Sequence, residues 1–134
     1  MSNTVTWDVL QKLTGAFLSG DNTMASDETV RLILLEEALH IVASKAETLT
    51  LETTDEALYV LRQGSAGDDN VFIRIPETPV DGNSIIDIDR LLIPAVARYM
   101  ASFVSREKME WHEKKAEDII NIFNNKVYHY RDNN

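Results

Sequence analysis

The sequence predicts a mainly α-helical domain spanning residues 1–134: four helices, with a small antiparallel β-sheet inserted between the second and the third. Three observations carry this. Apolar residues recur at helical spacing over long stretches at both ends of the chain. The period shortens to that of a strand near Thr48 and returns to that of a helix after Asp89. The chain has 134 residues, 44% of them hydrophobic, enough for one ordinary domain with its own core.

Thr6 caps a first helix, expected from Trp7 to Leu18, with Val9, Leu10, Leu13 and Phe17 as its apolar stripe. Gly20, Asp21 and Asn22 end it and begin a loop. Ser26 is the next N-cap candidate, followed by Asp27 and Glu28 where carboxylates suit the helix dipole. The second helix is expected to reach Lys45. Val30, Ile33, Leu34, Ala38, Ile41 and Val42 form its buried face, widened by Leu32, Leu35 and Leu39, as suits a central helix touched on several sides.

Thr48 to Glu52 alternates as a strand does. Ala57 to Arg62 offers a second strand and Val71 to Ile75 a third, ended by Pro76. Gly64 to Asn70 is a loop by composition. Asp87 and Asp89 then announce a third helix, regular from Leu91, with Leu92, Val96, Tyr99, Met100 and Phe103 as core face and Pro94 harmless if it lies in the first turn. The last helix is expected from Arg106 to Tyr128, with Met109, Ala116, Ile119, Ile120, Phe123 and Val127 buried. A single straight helix through both would place Phe103 and Ile119 about 160° apart, at roughly 100° per residue. The Phe103 face would continue into Glu110, Lys114, Glu117 and Asn121, all polar. A break near Ser105 and a helical hairpin resolve this conflict. Residues 127–134 read as a flexible C-terminal tail.

Net charge is −9 and the sequence pI about 4.7. Such a surface repels phosphates as a whole, so classical nucleic-acid binding is not expected. The absence of cysteine removes disulfides, thiolate catalysis and Cys-based metal sites. Met1 to Trp7 is polar and does not read as a signal peptide. The apolar stretches are too short to span a membrane.

A search for catalytic chemistry yields little. Glu37 and His40 form one Glu-x-x-His, half of a di-iron motif that needs a second copy, and none occurs. An ordinary surface pair on a helix explains it better. His112 and His129 lack any motif around them. Asp68, Asp69 and Asn70 lack the spaced ligands and closing glutamate of a calcium loop. Gly64 and Gly67 precede aspartates that would repel a phosphate. Trp7 and Trp111 read as packing residues of core or rim. No cofactor, metal or catalytic residue is expected.

The order of elements carries a resemblance. A Trp-containing helix and a polar loop precede Ser26-Asp27-Glu28 and the helix with Leu34-Leu35-Glu36-Glu37-Ala38-Leu39. Thr48-Leu49-Thr50-Leu51, Val71-Phe72-Ile73-Arg74-Ile75-Pro76 and Ile88-Asp89-Arg90-Leu91-Leu92 follow. Ala95-Val96-Ala97-Arg98-Tyr99-Met100-Ala101 and a charged helix finishing Ile119-Ile120-Asn121-Ile122-Phe123-Asn124 close the chain. Over nearly its whole length this resembles the head-to-tail adaptors, the head-completion or neck connector proteins of tailed bacteriophages. The motifs are helical pattern and order, not an invariant signature.

The resemblance implies a non-enzymatic structural virion protein, assembled in the host bacterial cytoplasm and located at the neck between head and tail. Copies would form a ring, commonly of about twelve, beneath the portal. The ring would extend the DNA channel, with DNA only as passing cargo, and would offer a surface to tail or nozzle proteins. Tyr128, His129, Tyr130 and Arg131 are the candidate portal-docking residues. Asp68, Asp69, Glu77 and Asp81 mark the candidate interface or channel loops. The short stretch after Val127 departs from family members with a long portal-embracing arm. A competing class is a small acidic helical regulator or DNA-mimic inhibitor, monomeric or dimeric where an adaptor forms a large ring. A di-iron oxidase is a distant third.

Overall fold

A computed structural model describes residues 5–46, 60–63, 72–74, 78–86 and 88–132, with side chains at 5–46, 78–86 and 88–126. The described residues are mainly helical. Four α-helices appear: α1 (Trp7–Leu18), α2 (Glu28–Lys45), α3 (Ile93–Val104) and α4 (Met109–Asp132).

Helix α3 is the centre of the packing, and α1, α2 and α4 all lie against it. Its sequence explains why. Ala95, Val96, Ala97, Tyr99, Met100, Ala101 and Ser102 are all buried, and the small residues let neighbouring helices approach on several sides. The helix expected to be central, α2, instead flanks it. Ser102 is tolerated there because its hydroxyl donates to the Tyr99 carbonyl at 2.6 Å. Thr14 is buried in α1 for the same reason, donating to the Leu10 carbonyl at 2.9 Å.

The ends of α1 are as the sequence predicts. Thr6 accepts from the Val9 amide, and Ser19 closes the helix in the left-handed conformation ahead of Gly20 at φ 87°. Val9 is a correction: it faces out, and the buried side is Trp7, Leu10, Thr14 and Leu18.

Helix α2 is corrected in two respects. Its N-cap is Asp27, not Ser26, because the Asp27 carboxylate accepts from the Thr29 amide at 2.8 Å. Its buried face is Leu35, Ala38, Leu39, Val42 and Ala43, whereas Val30 and Ile33 are exposed. The first half of this helix is apolar on nearly every side, so periodicity alone leaves the facing open. Contact with α3 decides it.

Asp89 caps a 3₁₀ turn, Arg90–Leu92, by accepting from the Leu91 amide at 2.9 Å. That turn leads into α3 and places Pro94 in its first turn, where the missing N–H costs nothing. Asp87 lies outside the described residues.

The chain breaks at Ser105, which is extended at φ −65° and ψ 138°. Two side chains fix the break. The Ser105 hydroxyl accepts from the Lys108 amide at 2.8 Å, and Asp21, arriving from the loop after α1, accepts from the Arg106 amide at 3.2 Å and from the Ser105 hydroxyl. Regular helix therefore starts at Met109, not Arg106, and α4 folds back on α3 as a hairpin. Ala116, Ile120 and Phe123 are buried as expected, with Ile119 packed against the core. Phe103 and Met109 are corrections, both being exposed beside the turn. His112, assigned no place by the sequence, is fully buried. The backbone of 127–132, read as tail, continues α4 to Asp132.

Residues 78–86 close the fold at the start of α1. The Trp7 amide donates to the Ser84 carbonyl at 2.9 Å, the Asp8 amide to Gly82 at 3.0 Å, and the Ile86 amide to Val5 at 2.9 Å. Ile86, Ile88 and Trp7 enter the same core as Leu39 and Met100. No helix among the described residues is long and apolar enough to cross a membrane.

Candidate functional site

Where α1 ends and α4 begins, three helices bring their side chains to one exposed face. Arg98 on α3 lies between two aromatic rings, its guanidinium carbon 3.7 Å from the Phe17 ring centre and 4.9 Å from that of Trp111. Lys108 and Lys115 approach the Trp111 ring at 5.7 and 5.6 Å. Trp111 is 46% exposed and Met109 beside it 52%. In a chain of net charge −9, an open indole surrounded by three cations is a local inversion of the overall field.

Local sequence places each part. Lys108, Trp111 and Lys115 are spaced by three and four, so they share one side of α4. Phe17 occupies the last turn of α1. Arg98 is the charged member of an otherwise apolar run in α3.

His112 sits directly beneath. Arg98 Nη1 is 3.2 Å from its Nδ1. A guanidinium can only donate, so Nδ1 accepts and the neutral ring carries its proton on Nε2. That Nε2 is buried and has no hydrogen-bond partner among the described residues. Burial, and secondarily the Arg98 charge, hold the His112 pKa below the ordinary histidine value, with Asp21 opposing them. The imidazole is thus neutral at physiological pH and orients Arg98. Burial also lowers the Arg98 pKa, yet guanidinium stays charged in proteins. Asp21 is held below the ordinary carboxylate range, first by its bond from Ser105. It remains ionised while anchoring the start of α4.

The arrangement suits recognition. Cation–π stacking fixes the Trp111 ring, each contact contributing roughly 0.5–1 kcal/mol when exposed. The face then offers an apolar surface rimmed by positive charge, matched to an apolar segment bearing carboxylates.

The residues singled out by sequence lie elsewhere. Asp81 is exposed in the turn before Ile85, its carboxylate accepting from the Asn83 amide at 2.9 Å. Tyr128, His129, Tyr130 and Arg131 fall on the last turns of α4, where the backbone alone is described. Asp68, Asp69 and Glu77 lie outside the described residues. The pair Glu37 and His40 is exposed on α2, and no group of three metal-ligating side chains occurs among the described residues. Sequence pattern missed the Phe17–Arg98–Trp111 stack. The available signal was Arg98 inside an apolar helix, a cation that has to find partners.

No protein-family model, curated protein or solved structure matches the chain.

Proposed function

We propose that this protein is a structural head-to-tail adaptor, one subunit of a ring that sits beneath a phage portal, extends the DNA channel and receives the tail. It acts without catalysis, within the virion neck, and touches DNA only as passing cargo. The supporting observation is the exposed aromatic face. Met109, Trp111 and Ile122 are large, open to solvent and carried on a 24-residue helix, about 36 Å long at roughly 1.5 Å per residue. Exposed apolar groups rimmed by charge mark protein–protein contact surfaces, and a stiff helical hairpin suits side-by-side packing around a ring.

In this proposal the region between α2 and α3 is a small antiparallel sheet. The strand-like alternation of its sequence supports that, as does the antiparallel backbone pairing of Val60–Gln63 with Phe72–Arg74. The loops bearing Asp68, Asp69, Glu77 and Asp81 face neighbouring copies, tail proteins or the channel. The end of α4, Tyr128 to Arg131, docks on the portal.

Electron microscopy of assembled particles tests the proposal. The expected result is density for this chain between portal and tail. Its absence there, with no complex in a mixture with the portal protein, would reject the adaptor role in favour of an acidic regulator.

A further inference from the structure

The start of α1 carries the opposite surface. Val80 is 91% exposed at the tip of a turn, and Ile85 is exposed just after it. The turn is built firmly: the Ser84 hydroxyl accepts from the Val80 and Asp81 amides at 3.1 and 3.2 Å, while Asp81 accepts from Asn83. It is fastened to α1 by the bonds from Trp7 to Ser84 and from Asp8 to Gly82. The Asp8 carboxylate lies so close to Gly82 that a Cβ there would collide with it. Val80, Ile85, Asp8 and Asp81 therefore form a preorganised apolar knob bearing two carboxylates.

Phe17, with Arg98 and Trp111 against it, marks the other end of the same helix. The 12 residues of α1 separate the two ends by about 18 Å at roughly 1.5 Å per residue. One end is apolar and acidic, the other aromatic and cationic.

We infer that these two ends are halves of one interface: the Val80–Ile85 turn of one copy docks on the Phe17–Arg98–Trp111 face of the next. The inference rests on the ring proposed above and names the surfaces that would form it. The occupant is a second copy because the complementary charges and apolar groups are both found on this chain, at separated places. Such a pair of unlike patches gives a heterologous contact, repeated from copy to copy and closed by rotation. Asp8 and Asp81 meet Lys108, Lys115 and Arg98, while Val80 covers the Trp111 ring. Opposite charges steer this orientation and penalise like-to-like contacts.

Cysteine cross-linking reads the geometry directly, because the chain contains no cysteine of its own. Val80→Cys and Lys115→Cys proteins are mixed at high concentration, with and without the portal protein, under mild oxidation. The expected product is the mixed disulfide in clear excess over either like pair. Val80→Glu and Trp111→Ala alter exposed positions and leave thermal unfolding nearly unchanged. Each is expected to weaken self-association by at least about ten-fold, as loss of an aromatic or apolar anchor does. If the native chain forms rings but these variants form them equally well and no mixed disulfide appears, the assigned surfaces are wrong and the ring stands. If the native chain joins neither itself nor the portal, both the surfaces and the ring are rejected.

Discussion

The two tryptophans occupy comparable places in the chain and opposite physical situations. Trp7 opens α1 and Trp111 lies in the first turn of α4. Trp7 is fully buried among Leu10, Leu39 and Met100, its Nε1 without a hydrogen-bond partner among the described residues. Trp111 stands half in solvent under three cations. A buried indole with an unsatisfied N–H contributes through packed area and shape. An open indole held by guanidinium and ammonium groups adds little to folding and is presented to something outside.

The largest effects should divide along that line. Trp7→Ala is expected to destabilise the fold by about 3–5 kcal/mol, the usual cost of emptying a buried aromatic site. Trp111→Ala should cost less than about 1 kcal/mol. Denaturant titration of both variants checks the contrast, and equal losses would break it. The same division recurs within α4 between adjacent residues. Phe123→Ala, buried, should cost about 3–5 kcal/mol and Ile122→Ala, exposed, within about 0.5.

A smaller effect separates the two faces of the α4 start. Ser105 caps the Lys108 amide, so Ser105→Ala should lose about 1 kcal/mol and fray the helix before Trp111. Amide hydrogen exchange would show faster exchange at 106–110 than at 118–123.

Beneath Trp111, His112 has a folded pKa below its unfolded value. As pH falls below about 6.5, the unfolded chain takes up the proton first. It then binds more protons than the native state, so stability declines with acidification until the folded pKa is passed. Stability against pH should flatten in that window for His112→Gln. An unchanged slope would mean that His112 is not the group responsible. The smallest effect is at the exposed Lys45–Glu117 pair, 3.0 Å apart. Glu117→Gln should change stability by less than about 0.5 kcal/mol at physiological salt.

Much of the helical framework was readable in advance because its signals are local. Thr6, Asp89 and the Ser105 break are written in side chains that cap or interrupt a helix within a few residues. The reversal of apolar phase between Phe103 and Ile119 already required the α3–α4 hairpin. What escaped depends on distant partners. Leu35 faces α3 while Ile33 faces solvent, a choice made only by packing. Asp21 fixes the start of α4 from across the chain, and no spacing in the sequence announces it. Phe17, Arg98 and Trp111 meet only because α1, α3 and α4 converge. His112 lacked a motif for the same reason: its partner Arg98 belongs to another helix.

The contrast between the tryptophans also provides its own reporter. In a Trp7→Phe protein, Trp111 is the sole indole, and its emission can be followed as the chain is concentrated or mixed with the portal protein. Contact through the Trp111 face predicts a shift to shorter wavelength on assembly, with no shift in the Trp111→Phe protein where buried Trp7 is the sole indole. Trp111 emission that stays at the solvent-exposed wavelength while the chain assembles would contradict the assignment of this face.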